Sequence, residues 1–244
     1  MSSRPIAAFI PGLLCDEALW AQQMQDLRDL VMPVIADITK DDSIAAMARR
    51  VASFMPERFI VVALSMGGYV AFELLRTMPE RIAGVALIDT SASPDTPQKA
   101  AERRAGIASL NAGRFSGVTS RLLPQLVHPR HVDGPVGAEV RAMAQRVGGD
   151  AYIRQQSAIL GRVDSQPILA RILSPALVGV GAQDRLTPLD EARKIHAGIA
   201  NARFHVFDNC GHLPPLESPT ETTSVLRAWL NDSVLPIAGR PHLE

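Results

Sequence analysis

The feature that most constrains this chain is the segment 58–77, RFIVVALSMGGYVAFELLRT, in which an apolar run passes into a helical pattern at one serine. Phe59–Leu64 is short and rich in valine and isoleucine, which predicts a strand covered on both faces. From Met66 onward the apolar residues follow helical spacing, and Pro79 marks the end of that helix. Ser65 is therefore expected at a sharp turn from strand to helix.

A serine at such a turn has a chemical use. The turn carries its hydroxyl away from the sheet, where a histidine can reach it, and it aims the backbone N–H of Met66 at a developing oxyanion. The turn also needs small neighbours, and Ala63 and Gly67 stand two residues before and after the serine. Ala63 departs by one methyl group from the glycine-x-serine-x-glycine pattern. Because small-x-serine-x-glycine also arises by chance, the catalytic interpretation of Ser65 depends on its partners.

Strand and helix patterns alternate along most of the chain. Such alternation predicts an α/β fold with a mostly parallel sheet flanked by helices, whose ligands bind at the carboxyl ends of the strands. The predicted strands are 5–10, 31–36, 59–64, 83–89, 175–181 and 202–207. The predicted helices that alternate with them are 17–30, 43–54 with Ser43 as its cap, 66–77, 189–197 and 219–230.

The alternation stops between residues 91 and 164. Helical patterns at 98–110, 117–126, 137–146 and 151–160 follow one another there without a strand. An all-helical insertion that leaves from the ligand-binding edge is interpreted as a cap over the pocket. The predicted organisation is thus a core of residues 1–90 and 165–235, a cap of residues 91–164 and a tail of residues 236–244. The excess of basic residues in the cap is explained either by ordinary solvated helix faces or by binding of an anionic substrate or acyl carrier.

Composition excludes several classes of partner. With 25 basic and 25 acidic residues the formal charge is zero, so there is no electrostatic footprint for nucleic acid or an anionic membrane. Cys15 and Cys210 are too few for a disulfide framework and lack metal-site spacing, which favours free thiols in the cytoplasm. Pro11 and Gly12 interrupt the first apolar run, so we interpret it as structural and not as a signal peptide. The last residues, 241–244, are expected to be unstructured.

Three residues with complementary chemistry each follow a predicted strand. Ser65 needs a base, and the base needs a carboxylate to fix its tautomer; His212 and Asp184 offer these groups in the chain order serine, acid, histidine. Asp89 also ends a strand at this edge and competes for the role of the acid, while Asp184 alternatively forms only a turn. Glu217 is interpreted as a supporting carboxylate. The other histidines fall in the predicted cap, a helix, a strand or the tail, at His128, His131, His196, His205 and His242.

The loop after the first predicted strand, PGLLCD, completes this set. Loops at this place can supply a second backbone N–H to an oxyanion, here from Leu13 or Leu14, and Gly12 would allow the close approach. An ordinary turn between a strand and a helix is the alternative interpretation.

The stretches IPGLLCDEALW, ALSMGGYVAFELL, VGAQDRLTP and CGHLPPLESP resemble motifs of the α/β-hydrolase superfamily, in the same order. The likeness is strongest to its small, cap-bearing esterases and lactonases, although Ile10 stands where many relatives have histidine. The resemblance implies a serine hydrolase with Ser65, Asp184 and His212 as catalytic residues, a small-molecule acyl substrate and no metal, nucleotide or organic cofactor. Carbon–carbon bond hydrolysis, cofactor-free perhydrolysis and a non-catalytic ligand receptor stay open, as do the substrate itself and the oligomeric state.

Overall fold

The structure is a computed structural model that describes residues 4–111 and 117–238. Its centre is one sheet of six parallel strands in the order β2-β1-β3-β4-β5-β6. The strands are β1 (Ile6–Ile10), β2 (Met32–Ile35), β3 (Phe59–Leu64), β4 (Ile82–Ile88), β5 (Ala176–Gly181) and β6 (Arg203–Phe207). Helices flank this sheet, so the predicted α/β class and all six strands are confirmed.

The helices are α1 (Ala21–Asp26), α2 (Ile44–Ser53), α3 (Met66–Thr77), α4 (Pro97–Asn111), α5 (Leu123–Leu126), α6 (Pro135–Leu160), α7 (Leu189–Gly198), α8 (Pro214–Glu217), α9 (Pro219–Trp229) and α10 (Leu235–Ala238). Short 3₁₀ segments add Glu17–Trp20, Pro79–Arg81, Pro129–His131 and Gln166–Arg171. Ser43 caps α2 as predicted, because its side chain accepts a hydrogen bond from the N–H of Ala46. None of the helices in the described ranges is both long and apolar enough to cross a membrane.

The sheet carries an apolar layer on each face. Every residue of β3 and β4 is buried, as expected for central strands with helices on both sides. Successive side chains of β3 point to opposite faces, so Val61 and Ala63 join one apolar cluster while Val62 and Leu64 join the other. Burial on both faces fixes the register of the central strands, and with it the position of the residue that follows each strand.

The first predicted helix, 17–30, differs from the structure. It is a 3₁₀ turn followed by the short α1, with Asp16 capping the turn through the N–H of Ala18. Trp20 lies at the junction, where its non-helical backbone lets its ring meet Phe9 edge-on at 5.6 Å between ring centroids. Packing of this large side chain against the sheet outweighs the helical propensity of the segment.

Between β4 and β5 the described residues, 89–111 and 117–175, contain helices and no strand. The predicted helix 117–126 is reduced to α5, since Pro124 has no N–H to donate and fits only in the first turn of a helix. The predicted helices 137–146 and 151–160 are two halves of α6, joined at Gly148 with φ 79° and ψ 173°. Residues 112–116 of the predicted cap and 239–244 of the predicted tail lie outside the described ranges.

Candidate active site

Ser65 lies at the sharp turn between β3 and α3 and has a backbone conformation that is uncommon for a residue with a side chain. Its φ is 53° and its ψ is −115°. The surrounding structure holds it there. Its N–H donates to the carbonyl of Ile88 at 3.0 Å, and the hydroxyl of Thr90 donates to its carbonyl at 2.7 Å. The end of β4 and Thr90 just beyond it thus fix the backbone of Ser65 at the sharp turn that the sequence predicted.

Two glycines after the serine let the turn approach its neighbours. A Cβ atom at Gly67 would lie 2.7 Å from the carbonyl oxygen of Pro11 and still closer to that of Ile10. The small residue therefore serves the contact between α3 and the end of β1, whereas the spacing had suggested a contact with position 63. A Cβ atom at Gly68 would lie 2.6 Å from Cβ of Thr90, whose hydroxyl reaches Ser65.

His212 and Asp184 form a buried pair. The Nδ1 atom of His212 lies 2.8 Å from Oδ2 of Asp184, and both side chains are at most 3% exposed. Asp184 also accepts hydrogen bonds from the N–H groups of Leu186 and Thr187 and from the hydroxyl of Thr187. Burial alone would raise the pKa of Asp184, but the charge of His212 and the hydrogen bonds that this carboxylate receives from His212 and other neighbours together lower the pKa. Asp184 is thus held as an anion beside the imidazole.

Asp89, the competing carboxyl group, lies in the same cluster. One carboxyl oxygen of Asp89, one of Asp184 and a ring nitrogen of His212 lie within 4.8 Å of one another. The carboxylate that accepts the hydrogen bond from Nδ1 of His212 is that of Asp184, while Asp89 accepts the N–H of Gly181 at 2.8 Å. Such a cluster could offer three ligands to a metal ion, although Nδ1 of His212 and Oδ2 of Asp184 already bind each other and Oδ1 of Asp89 is bound to a backbone N–H.

The other described histidines are engaged elsewhere. The ring of His128 accepts the backbone N–H of Arg130, and the ring of His131 contacts the side chain of the same arginine. The ring of His196 contacts the carbonyl of Ala202, and the ring of His205 contacts the carboxylate of Glu221. His242 lies outside the described residues.

The loop that carries His212 is held by a carboxylate. Glu217 is buried, and its two oxygens accept the N–H groups of Gly211 and Leu213, each at 3.0 Å, and that of His128 at 2.6 Å. The N–H of His212 donates to the carbonyl of Leu126 at 2.9 Å. The sequence-based interpretation of Glu217 as a supporting carboxylate therefore agrees with its contacts, and these contacts tie the histidine loop to the segment after α5.

The loop after β1 lies against the serine. A Cβ atom at Gly12 would lie 3.4 Å from Cβ of Ser65. Leu14 has a positive φ of 58°, and its N–H donates to Oε1 of Gln155 in α6 at 3.1 Å. Because that N–H is engaged, Leu13 is the remaining candidate of the two for binding an oxyanion. The N–H of Met66 belongs to the first turn of α3, where it has no acceptor within the helix.

A cavity of about 950 Å³ brings these groups together. Ser65, Met66, His212 and Leu13 line it, so both sides of the candidate site open into one space. Residues of the segment between β4 and β5 form much of the remaining wall, including Leu110, Val118, Leu122, Val140, Tyr152 and Ile159. A cavity of this size fits a small organic molecule.

The two cysteines do not compete with the serine as nucleophiles. Both are free, as the sequence predicted, and both are buried. Burial raises the pKa of Cys15, which also lines the cavity, to about 12, with the charge of Asp16 adding to the effect. Burial likewise raises the pKa of Cys210. Since the thiolate is the nucleophilic form, both thiols are inert at neutral pH.

Sequence reasoning missed three supporting residues: Thr90, Gln155 and Thr187. Thr187 follows Asp184 closely enough for an aspartate-centred turn to suggest the contact. Thr90 follows Asp89 at the end of β4, but nothing in the pattern indicates that its hydroxyl reaches Ser65. Gln155 lies 141 positions from Leu14, and no local signal joins them.

Comparison with known proteins adds the family context. A model described as "Alpha/beta hydrolase family" matches residues 11–225. A pimeloyl-[acyl-carrier protein] methyl ester esterase of Neisseria meningitidis serogroup B is 24% identical over 80% of this chain and 78% of its own length. The chain is 20% identical, over 92% of its length, to a biotin biosynthesis bifunctional protein of Cellvibrio japonicus, of which it spans 47%. A solved thermophilic esterase from Thermogutta terrifontis superposes with a TM-score of 0.84 at 26% identity, covering 95% of this chain and 91% of that one.

Proposed function

The chain belongs to the alpha/beta hydrolase family, and from that premise we propose that it is a serine hydrolase that cleaves a carboxylic ester, thioester or lactone of a small molecule through an acyl-enzyme on Ser65. The observation that carries the proposal is the buried pair of His212 and Asp184, 2.8 Å apart, beside the same cavity as the strained Ser65. The esterase names of the relatives support the same class of reaction.

The pairing of His212 gives it the role of base. Because Asp184 is held as an anion, it accepts a hydrogen bond from the N–H at Nδ1 of His212, and this tautomer has its lone pair on Nε2. That nitrogen would take the proton of Ser65 as its Oγ attacks the acyl carbonyl, and it would then pass the proton to the departing alcohol or thiol. In the second half of the cycle His212 would deprotonate a water molecule, which attacks the acyl-serine and releases the acid.

The N–H groups of Met66 and Leu13 would hold the negative oxygen of the tetrahedral intermediate. Each donor of this kind lowers the barrier by about 3 kcal/mol in a site from which water is excluded. Their directions are set before substrate arrives, since Met66 opens α3 and Leu13 precedes a residue fixed by Gln155. In this scheme residues 91–164 act as a cap that supplies the wall for the part of the substrate that does not react.

Covalent labelling tests the nucleophile. The protein and its Ser65→Ala variant would be incubated with a fluorophosphonate and weighed intact by mass spectrometry. We expect one adduct on the wild type and none on the variant. His212→Ala should keep the fold, measured by circular dichroism, and lose the adduct. An adduct that persists in Ser65→Ala would overturn the assignment of the nucleophile.

Substrate assays test the reaction class. Nitrophenyl esters of increasing acyl length, a lactone series and vinylogous diketones would be compared side by side with wild type and Ser65→Ala. Turnover of the esters or lactones by the wild type alone would support the proposal, and the chain-length profile would measure the acyl pocket. Turnover restricted to diketones would move the protein to carbon–carbon bond hydrolysis. A folded protein with neither label nor turnover would favour a ligand receptor.

A further inference from the structure

Asp89 is a buried carboxyl group that the mechanism above does not use. It directly follows β4, has a positive φ of 45°, and its side chain has no solvent exposure. Its Oδ1 atom accepts the N–H of Gly181, but its Oδ2 atom has no hydrogen-bond donor within reach in the described part of the chain. A buried carboxylate oxygen without a donor is costly, whereas a protonated carboxyl group brings its own hydrogen to that position.

The neighbouring carboxyl group is the natural acceptor for that hydrogen. A carboxyl oxygen of Asp184 lies within 4.8 Å of one from Asp89. Apart from Asp89, the partners of Asp184 that the structure gives are two N–H groups, a hydroxyl and the ring of His212, all of which can donate. Such surroundings stabilise Asp184 as an anion. Two adjoining buried carboxyl groups do not both ionise, so the proton of the pair resides on Asp89.

The electrostatic surroundings agree with this assignment. Burial raises the pKa of Asp89 well above its usual range, and the charge of Asp184 adds to the effect; the N–H of Gly181 opposes it. Glu217 contributes a further negative charge that raises this pKa. Cys210 is also nearby, but its buried thiol stays neutral.

We propose that Asp89 is a neutral carboxylic acid that donates a hydrogen bond to the Asp184 carboxylate and thereby positions it for His212. Asp89 is then a positioning residue, because it acts on the imidazole only through Asp184. The hydrogen bond from Asp89 limits rotation of the Asp184 carboxylate. It also reduces the negative charge that Asp184 presents to the imidazole of His212. The proton assignment stands on the cluster geometry alone, and its effect on turnover rests on the proposed function.

Infrared difference spectroscopy tests the proton directly and does not depend on turnover. At about pH 8 exposed carboxyl groups are ionised, so a carboxylic acid carbonyl band reports a buried protonated group. We expect this band in the wild type and its loss in Asp89→Asn, whose fold is checked by circular dichroism. Absence of the band in the wild type, or its persistence in Asp89→Asn, would overturn the proposal.

The acid limb of the pH profile of kcat/KM tests the effect on the imidazole. Without the donor, as in Asp89→Leu, more negative charge faces the imidazolium, so the limb should move to higher pH by roughly half a unit. Asp89→Asn keeps a neutral donor and should bring the limb back to within about 0.2 units of the wild type. An ionised Asp89 would give the opposite result, because its removal in either variant would move the limb to lower pH. If Asp89→Leu does not fold, the Asp89→Asn profile alone still separates the two cases.

Discussion

Replacement of Glu217 by glutamine tests whether the histidine loop depends on one buried carboxylate. The substitution keeps the shape of the side chain but leaves a single acceptor oxygen for three backbone N–H groups. In the better of the two amide orientations the oxygen stays on Gly211 and His128, and the NH₂ group faces the N–H of Leu213. One hydrogen bond is then lost, two donors oppose each other, and the remaining bonds lose the assistance of the charge.

The magnitude follows from these contacts. A hydrogen bond to a charged group contributes about 1.5–3 kcal/mol, and neutral bonds are roughly half as strong. Loss of the bond from Leu213 and weakening of the other two would remove about 3–5 kcal/mol. The lower desolvation cost of an amide offsets part of this sum, so we expect Glu217→Gln to lower the free energy of unfolding by about 2–3 kcal/mol. Since His212 lies between Gly211 and Leu213, kcat should fall roughly tenfold to hundredfold.

Urea denaturation and steady-state kinetics measure both effects, with Glu221→Gln as the matched control. Glu221 carries the same side chain near the same end of the chain, but it is 43% exposed and contacts only His205 among the partners described. Its replacement should change the free energy of unfolding by less than about 0.5 kcal/mol. A Glu217→Gln protein as stable as Glu221→Gln would refute the reasoning, because three buried backbone donors would then have lost their carboxylate without consequence.

Other substitutions test the remaining contacts. Asp184→Asn should lower kcat about 10⁴-fold with little change in KM, because the amide disfavours the tautomer of His212 that has its lone pair on Nε2. A kcat close to that of the wild type would show that Asp184 is not the acid of the triad. Gly67→Ala should lower kcat roughly tenfold to hundredfold, because the new methyl group would push α3 away from the end of β1. Gly161→Ala is the control and should leave kcat unchanged, since its methyl group would meet no atom closer than 3.6 Å. Equal effects of the two substitutions would contradict the argument from close approach. Gln155→Leu should lower kcat roughly tenfold, because the N–H of Leu14 would lose its acceptor. An unchanged kcat would show that the loop after β1 keeps its conformation without this hydrogen bond. Urea denaturation should show that the free energy of unfolding of Asp89→Asn increases relative to that of the wild type as the pH rises from about 4. The difference should grow by up to about 1.4 kcal/mol per pH unit. The raised pKa of Asp89 means that the unfolded wild type releases a proton that the folded chain retains, and a pH-independent difference would contradict this.

The sequence was most informative where local pattern and chemistry coincide. Most of the strands were recognisable because their apolar runs are short, contain valine or isoleucine and are bounded by turn residues. Because parallel strands end at one edge, the positions of Ser65, Asp184 and His212 just after predicted strands indicated that they meet there. The structure accordingly pairs Asp184 with His212 and opens one cavity onto both His212 and Ser65.

The contacts that hold the site were beyond reach for a physical reason. Gln155 reaches Leu14 from the second half of α6, whose direction depends on the kink at Gly148. The periodicity of the sequence does not specify the angle of that kink. The explanation of Gly67 was also incomplete, since its neighbours come from the end of β1 and not from the strand that precedes the turn. The positions of helices and strands could be predicted from local propensity, but the contacts between their backbone groups depend on tertiary packing.

Residues of the predicted cap form hydrogen bonds with the two loops that carry the candidate catalytic groups. Gln155 of α6 binds the loop after β1 through the N–H of Leu14, and the carbonyl of Leu126 in α5 accepts the N–H of His212. Glu217 joins the histidine loop to His128 in the same inserted segment. Movement of the whole cap as one lid would break these hydrogen bonds together and disturb both His212 and the loop after β1. Substitutions in the cap that alter substrate choice are therefore expected to change kcat as well as KM unless they spare these three attachment points.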